Sequence, residues 1–334
     1  MKILISGVGR SGTTFLYNYL QKYLLEYEKS YNFVYEPYLW DYKKLNKNFS
    51  DINDEFLKVD TLSVDGIFWH KKTPIFCEKN YKNISEYPEE FLNLGENVLI
   101  KSVRSSGRLH NYLNIDENIK IIHIFRNPID VINSVVDKFS FFGSNFYESD
   151  EKRFFQEIEN NFDINVDRKS LSDVQKNYNY WFYSNKFVVD NFSNSKNVYF
   201  LEYDVLFSSF ETEIQKLFNF LNLDLKNIRL LVNEEKIIGP PSSINIDKND
   251  FDFLAKKLNE YDSLISNLSL KGPNRNILET KYKRFPRKTH MFKFEGRTPT
   301  YIEKYYQSKF IGQKPSYIFF YLKNILKKLI KVIK

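Results

Sequence analysis

The sequence predicts an α/β fold, a three-layer sandwich in which helices cover both faces of a central parallel sheet. Short apolar strands alternate with amphipathic helices along much of the 334-residue chain, and the first strand runs directly into a glycine-rich turn and a helix. Strands that alternate with helices favour a parallel sheet, because parallel neighbours need a crossover connection that carries a helix. Hydrophobic residues make up 42% of the chain, which is enough for a large buried core.

Short apolar runs predict the strands of this sheet. They lie at residues 2–6, 32–35, 98–101, 120–125 and 197–201. We expect the first of them to be the central strand.

The helices follow from apolar spacing and from the residues at their ends. Apolar side chains recur three and four residues apart over residues 13–27. A second helix is expected to begin at Asn127-Pro128, because proline suits the first helical turn. Further helices are expected over 173–192 and 208–221.

No repeat or low-complexity linker divides the chain, so we expect a single domain over residues 1–310. The irregular, aromatic-rich stretch at 41–97 is expected to form insertion loops and short helices. Residues 311–334 are expected to form a basic amphipathic helix beyond the domain.

Charge and composition limit the classes of molecule that this chain is expected to bind. The net charge of +7 suits an anionic partner, but the basic residues are dispersed outside the C-terminal helix, which argues against nucleic acid. The single cysteine, Cys77, fits a reducing compartment, and the four histidines lack metal-ligand spacing, so no metal site is expected. With no signal peptide and no apolar run long enough to cross a bilayer, we expect a cytoplasmic protein.

The segment GVGRSGTT has the spacing of a phosphate-binding loop. Gly7, Gly12 and Thr14 match the pattern G-x-x-x-x-G-K-[ST], whereas Thr13 replaces its lysine. Arg10 supplies a cation within the loop instead, and its planar donor fork suits a tetrahedral oxyanion. Backbone N–H groups and the positive end of the following helix favour an anion at the same place. The segment predicts a P-loop NTPase-like fold; the alternative is a strand–helix turn that binds nothing.

In the segment IIHIFRNPIDVINSV, Arg126 stands at the end of a predicted strand. A kinase or NTPase commonly has a magnesium-binding aspartate at this position. Ser134 lies eight residues after Arg126, in the following helix. The two side chains can converge on a second anionic group. The alternative is an arginine that pairs with a carboxylate and a serine that is merely solvated.

Together, GVGRSGTTFL and FRNPIDVINS resemble the paired donor-binding motifs of sulfotransferases that use 3′-phosphoadenosine 5′-phosphosulfate (PAPS). The resemblance implies that the 5′-phosphosulfate is bound by Gly9, Arg10, Ser11, Gly12, Thr13 and Thr14. It also implies that Arg126 and Ser134 grip the 3′-phosphate. The RSGTT form is closer to the carbohydrate and tyrosylprotein branches than to the cytosolic phenol and steroid branch. The glycine-rich C-terminal motif of that last branch is not visible, so the resemblance does not indicate which residues close over the adenine.

The resemblance extends to about residue 225. VYEPYLW resembles the Glu-Pro segment in which the glutamate serves as base, which implies Glu36 as general base. VLIKSVR resembles a segment with a lysine at a strand end, which implies that Lys101 acts with Arg10 on the bridging oxygen of the departing nucleotide. NVYFLEYDVL resembles the family's late Tyr-Glu-Asp-Leu strand, although the order here is Glu-Tyr-Asp. Cations and backbone N–H groups can stabilise the transferred sulfonate without a metal.

Weaker candidates for the chemistry remain open. His110 is the rival base, although a lone histidine is more often structural. Arg104 and Lys72 are alternative cations, each of which can equally lie on a solvated face. Aromatic residues between Trp40 and Phe91 can line a saccharide cleft or simply pack in a lid or core.

The C-terminal segment places apolar residues on one helical face and lysines on the other. Such a helix can lie on an anionic membrane surface, which implies peripheral contact at the inner membrane face and an acceptor such as a glycolipid. The alternative is that its apolar face packs on the domain or on a partner subunit.

The leading hypothesis is an enzyme that moves the sulfonate of PAPS to an acceptor hydroxyl, on a carbohydrate or glycolipid. A P-loop nucleotide kinase is one rival, which the arginine at the end of the fourth strand disfavours. A non-catalytic nucleotide-binding protein at the membrane is the other.

Overall fold

The structure is a computed structural model that describes residues 1–28, 30–35, 74–81, 88–89, 92–138, 148–225, 248–266, 268 and 270. Glu36, Lys72, most of the 41–97 stretch and the C-terminal segment 311–334 lie outside these residues. The peripheral membrane contact and most of the aromatic cleft therefore stay predictions.

Five parallel strands form the sheet in the order β2-β3-β1-β4-β5. The strands are β1 Lys2–Ser6, β2 Asn32–Tyr35, β3 Val98–Ser102, β4 Lys120–Phe125 and β5 Val198–Glu202. The predicted strands are confirmed to within one residue at their ends, and β1 is central, as predicted. The carboxyl ends of all five strands therefore share one edge of the sheet.

Eight α-helices are described. They are α1 Thr13–Tyr27, α2 Leu109–Ile115, α3 Pro128–Lys138, α4 Glu148–Phe162, α5 Asp173–Phe192, α6 Tyr203–Ser208, α7 Phe210–Leu221 and α8 Lys248–Ser266. Short 3₁₀ turns occupy Ser106–Arg108 and Arg168–Ser170. A capping box fixes the start of α5, in which Ser172 accepts from the Gln175 backbone and Gln175 reaches back to Ser172.

The helix predicted over 208–221 begins at Phe210, two residues later than predicted. A short helix that was not predicted, α6, comes before it and ends at Ser208. Ser209 breaks the helical backbone with a φ of −142°. Because α6 follows β5 directly, Tyr203 and Asp204 lie at the carboxyl edge of the sheet, in the first turn of α6.

Both faces of the sheet are covered. Ile3, Leu4 and Ile5 on β1 are all fully buried, and successive strand residues point to opposite faces. One core cluster joins the strands to α1 and α7, and a second joins α3, α5 and α8. The prediction of a three-layer α/β sandwich is therefore confirmed.

Helix α8 is an element that the sequence analysis left unassigned. It packs against α3 and α5 through buried residues that include Leu254 and Tyr261. The Tyr261 hydroxyl donates to Glu202 Oε1 over 3.0 Å, and burial raises the pKa of Glu202 to about 8. The recurrence of apolar residues in FDFLAKKLNEYDSLI indicates this helix in retrospect. None of the described helices is long and apolar enough to cross a bilayer.

A buried hydrogen-bond chain lies beneath the carboxyl edge of the sheet. His123 Nε2 is 3.0 Å from Asn185 Oδ1, and its Nδ1 is 3.3 Å from Ser6 Oγ. Asn185 Oδ1 can only accept, so Nε2 carries the proton and Nδ1 accepts from Ser6. The Ser105 hydroxyl can donate to either of two acceptors, Ser6 Oγ at 3.2 Å or the Ser102 carbonyl at 2.7 Å. The chain thus fixes Ser6, the last residue before the glycine loop, against the loop that follows β3.

We expect His123 to make folding stability fall in acid. Burial lowers its pKa to about 4 from 6.5, so between these two pH values the unfolded chain binds more protons than the folded chain. Its contribution is complete above about pH 6.5 and is lost as the pH falls towards 4. The urea unfolding free energy of the wild type minus that of His123→Gln should therefore decrease between pH 7 and pH 4. A difference that stays constant with pH contradicts this assignment.

Candidate active site

The glycine loop leaves the carboxyl end of β1 and turns sharply before α1. The turn closes with a hydrogen bond from the Ser11 N–H to the Val8 carbonyl, 3.1 Å long. Arg10 and Gly12 adopt left-handed backbone conformations, with φ of 75° and 102°. A left-handed arginine is uncommon, so the surrounding contacts must hold this backbone in place.

Gly12 is required for a second reason, which is the close approach of Tyr203. A Cβ atom on Gly12 would lie 2.1 Å from Cδ2 of the Tyr203 ring. Only glycine allows the ring to reach the loop at this point. Tyr203 therefore packs directly on the amino-terminal end of α1, where an anion would bind.

The structure brings the two sequence motifs into contact. Arg10 Nε donates to Ser134 Oγ over 2.9 Å, and Arg126 Nη1 donates to the Arg10 carbonyl over 3.1 Å. The loop and the strand–helix segment at 126–134 are therefore in direct contact. The two predicted anion sites are neighbours.

Arg126 is held by groups on two sides. Its guanidinium carbon lies 4.7 Å from the centroid of the Tyr203 ring, and its Nη2 lies 3.5 Å from Asp130 Oδ2. The alternative of an arginine that pairs with a carboxylate is thus part of the observed geometry. Ser134, however, is 7% exposed and accepts from Arg10, so it is not merely solvated.

Asn127 connects the carboxylates around Arg126. Its Nδ2 donates to Asp130 Oδ2 over 2.9 Å and to Asp204 Oδ2 over 3.0 Å. The Asp130 N–H donates back to Asn127 Oδ1. The segment Asn127-Pro128 with Asp130 thereby locks the first turn of α3 and orients Arg126 next to it.

Ser11 provides a test of whether an anion fits this loop. Its side chain is fully buried, and among the described residues its hydroxyl has no hydrogen-bond partner. A buried hydroxyl without a partner is costly, so a bound oxyanion that accepts from it would stabilise the loop. Thr13 and Thr14, in the first turn of α1, add hydroxyls beside it. The loop therefore fits the phosphosulfate end of the predicted donor.

Lys101 and Tyr35 lie at the same edge of the sheet and pair in register at the ends of β3 and β2. The Lys101 ammonium lies 4.2 Å from the centroid of the Tyr35 ring. The Tyr35 hydroxyl is 3.3 Å from Thr14 Oγ1 in the first turn of α1. Lys101 is therefore close to the loop, whereas the position of Glu36, the next residue after Tyr35, lies outside the described residues.

The other candidates have mostly structural surroundings. His110 packs on Phe192, with ring centroids 4.4 Å apart, its Nε2 is 3.4 Å from Asn191 Oδ1, and burial lowers its pKa. The Arg104 carbonyl accepts a hydrogen bond from Arg108. Among the described residues, no group of three or more His, Cys, Asp or Glu side chains is arranged to hold a metal.

Sequence reasoning missed four residues of this site. They are Tyr35, Asp130, Tyr203 and Asp204. Asp130 could have been found from its position four residues after Arg126, which is the helical spacing of an ion pair. The two tyrosines carry no comparable signal, because their roles depend on contacts with Gly12 and Lys101, which are distant in sequence.

Comparison with known proteins gives the family. A model described as "Sulfotransferase domain" matches residues 1–244, well over half of the chain. No curated protein sequence matches the chain.

Several solved structures resemble the chain. The sulfotransferase domain from the curacin biosynthetic pathway is 16% identical with a TM-score of 0.42, and the match covers 81% of this chain and 98% of that one. Sulfotransferase STF9 from Mycobacterium avium is 10% identical, with a TM-score of 0.41 and coverage of 78% and 76%. Mouse sulfotransferase SULT7A1, complexed with PAP, is 13% identical, with a TM-score of 0.32 and coverage of 87% and 69%.

With TM-scores below 0.5, these likenesses add nothing to the assignment, which depends on the match over residues 1–244. That match covers the glycine loop, Lys101, Arg126 and Ser134. The chain therefore belongs to the sulfotransferase domain family, and the predicted class, a sulfotransferase that uses PAPS as its donor, is confirmed.

Proposed function

We propose that this enzyme transfers the sulfonate of PAPS to a hydroxyl of a carbohydrate or glycolipid by in-line displacement. The main support for the proposed donor site is the hydrogen bond of 2.9 Å between Arg10 and Ser134. It joins the loop suited to a 5′-phosphosulfate to the helix suited to a 3′-phosphate. A P-loop kinase is disfavoured by the family match and by the arginine at the end of β4.

In this proposal the donor is held at its two ends. Backbone N–H groups from Gly9 to Thr14, with the hydroxyls of Ser11, Thr13 and Thr14, bind the 5′ end. Arg126 and Ser134 bind the 3′-phosphate. Arg126 is suited to this task because Asp130 and Tyr203 contact its guanidinium before any ligand arrives, and Asn127 holds Asp130 in place. Preorganised donors of this kind lose little entropy on binding.

Arg10 and Lys101 stabilise the departing nucleotide. Sulfonate transfer resembles phosphoryl transfer, with a loose transition state in which charge develops on the bridging oxygen. Two cations beside the loop stabilise that charge without covalent chemistry. Arg10 exchanges its hydrogen bond to Ser134 for one to the donor, and Ser134 is then available to the 3′-phosphate.

Glu36 is the general base that removes the proton from the acceptor hydroxyl. It is the residue after Tyr35 in the sequence, and Tyr35 ends β2 at the edge of the sheet where Lys101 and the glycine loop lie. The saccharide acceptor is supported by the RSGTT form of the loop and by the aromatic residues between Trp40 and Phe91. The same aromatic residues offer flat surfaces on which sugar rings stack.

Arg126→Ala should weaken binding of 3′-phosphoadenosine 5′-phosphate (PAP) by roughly 10- to 100-fold, since charge-assisted hydrogen bonds are lost. Affinity for adenosine 5′-phosphosulfate, which lacks the 3′-phosphate, should fall by a smaller factor, because only the hydrogen bond that supports the Arg10 backbone is lost. Calorimetric titration of both nucleotides measures the ratio, and thermal unfolding checks that the variant folds.

The control for this experiment is Lys169→Ala, which removes one positive charge from an exposed position. If Arg126→Ala and Lys169→Ala bind PAP equally well, Arg126 does not contact the 3′-phosphate. Ser134→Ala provides a second, milder variant that leaves the Arg126 contacts intact.

Glu36→Gln should keep PAP affinity and lose transfer by about 10²- to 10⁴-fold, because the acceptor hydroxyl no longer has a base. Transfer is measured with labelled PAPS over a panel of mono- and oligosaccharides, with simple phenols for comparison. Glu78→Gln, at an exposed carboxylate, is the matched control.

Three outcomes of the panel count against parts of this proposal. Full activity of Glu36→Gln removes Glu36 from the mechanism. Transfer to phenols but to no saccharide removes the carbohydrate acceptor. The absence of transfer to any hydroxyl, with intact PAP binding, favours the non-catalytic nucleotide-binding protein.

The basic segment 311–334 is proposed to bring the enzyme to an anionic membrane, where lipid-linked sugars are accessible. We expect the full chain to sediment with phosphatidylglycerol-rich vesicles and to be released by salt, because the attraction is partly electrostatic. Replacing Lys327, Lys328 and Lys331 by glutamate should abolish sedimentation. Replacing the exposed Lys169, Lys196 and Lys256 should not. Equal sedimentation of both triple variants rules out this contact.

A further inference from the structure

The Lys101 side chain is unusual because it is buried to an extent that lysines rarely are. It is 3% exposed, as is Tyr35. A buried ammonium is costly unless its surroundings stabilise the charge. The face of the Tyr35 ring, 4.2 Å from Nζ, does so through the negative potential of its π system.

The backbone dictates that these two side chains meet. Tyr35 ends β2, and Lys101 is its register partner on the neighbouring parallel strand. Side chains at paired positions of parallel strands project to the same face of the sheet. The lysine stem and the tyrosine ring therefore leave the sheet side by side.

The ring itself is fixed by two contacts from α1. The hydroxyls of Tyr35 and Thr14 are 3.3 Å apart, so one donates to the other. The Tyr17 ring packs against Tyr35 edge to face, with centroids 5.4 Å apart and planes at 74°. Because Thr14 lies in the first turn of α1, the same tyrosine contacts both the lysine and the anion loop.

We propose that Tyr35 is a positioning residue for sulfonate transfer, whose ring holds the Lys101 ammonium at a set place beside the anion loop. The inference rests on the proposed role of Lys101 at the bridging oxygen of the donor. It adds a residue that acts through Lys101 and that does not itself touch the reacting atoms.

The chemistry explains why an aromatic ring suits this position better than a carboxylate. A carboxylate would hold the lysine by a strong ion pair that competes with the departing oxygen. An aromatic face orients the ammonium through the negative potential of its π system and carries no formal charge of its own. The ring can therefore set the position of the ammonium without itself neutralising the charge of the lysine.

Hydrolysis of PAPS by water provides a readout that needs no acceptor. In this reaction the bond between sulfur and the bridging oxygen breaks, a water oxygen bonds to sulfur, and the products are PAP and sulfate. In the proposed mechanism, Lys101 stabilises the charge on the same leaving oxygen in hydrolysis as in transfer to a hydroxyl. Single-turnover hydrolysis of labelled PAPS therefore reports the contribution of Lys101.

The decisive experiment replaces Tyr35 by phenylalanine and then by phenylalanines with one, two and three ring fluorines. Fluorine withdraws charge from the ring face with little change in shape, so it weakens the attraction to the ammonium stepwise. We expect the logarithm of the hydrolysis rate to fall with each fluorine, to a total of about three- to thirtyfold. Tyr35→Leu should lose a similar amount, and Tyr27→Phe, on the same helix as Thr14, should lose none.

Tyr35→Phe without fluorine separates the hydroxyl from the ring. It should hydrolyse PAPS within about twofold of the wild-type rate, since the ring face remains. Its affinity for PAP should fall by about two- to tenfold, because the hydrogen bond to Thr14 is lost.

The same series in a Lys101→Met background distinguishes a positioning role from a packing role. If the ring acts through the lysine, fluorination has no further effect on hydrolysis once the ammonium is gone. If fluorination has no effect while Lys101→Met is slow, the inference on Tyr35 is wrong and the proposed function stands. If Lys101→Met is as fast as the wild type, the role of Lys101 and the inference both fail, and the Arg126 titration decides the donor site independently. A fluorine effect of equal size in both backgrounds also overturns the inference, because it indicates packing alone.

Discussion

Arg126 donates to the backbone of Arg10, and Arg10 donates to Ser134. This pair of hydrogen bonds joins two segments that are more than a hundred residues apart in sequence into one site. It also holds Arg10 in the left-handed backbone conformation that the loop needs at this residue. Other contacts of the site hold Arg126 in place. Asp130 and Tyr203 contact its guanidinium, and Asn127 donates to Asp130.

Aromatic faces hold two of the cations in this site. Tyr203 lies against Arg126, and Tyr35 lies against Lys101. An aromatic face orients a positive charge without itself neutralising it. At Arg126 this contact acts together with the ion pair to Asp130.

The hydrophobic core supports the same edge of the sheet from below. Helix α8 lies beyond the family match at 1–244, yet its residues complete the core cluster that includes α3 and α5. Tyr261 ties α8 to Glu202, the residue before Tyr203. On the other strands, His123 ties Ser6 to Asn185. Buried polar contacts of this kind specify how the helices align with the strand ends where the chemistry takes place.

Local patterns in the sequence were sufficient to predict the strands, the first helices and the glycine loop, and to single out Arg126 and Ser134 as candidates. Apolar runs and glycine spacing depend on neighbours a few residues away, so they can be read directly. The sequence alone likewise determined the family, through two motifs whose residue types suit two anions. It did not indicate Tyr35 or Tyr203, because an aromatic residue in a chain with 17% aromatics has no local signature of function. Only the tertiary structure decided where these two side chains lie, since the order of the strands places Tyr35 beside Lys101 and the start of α6 places Tyr203 against Gly12.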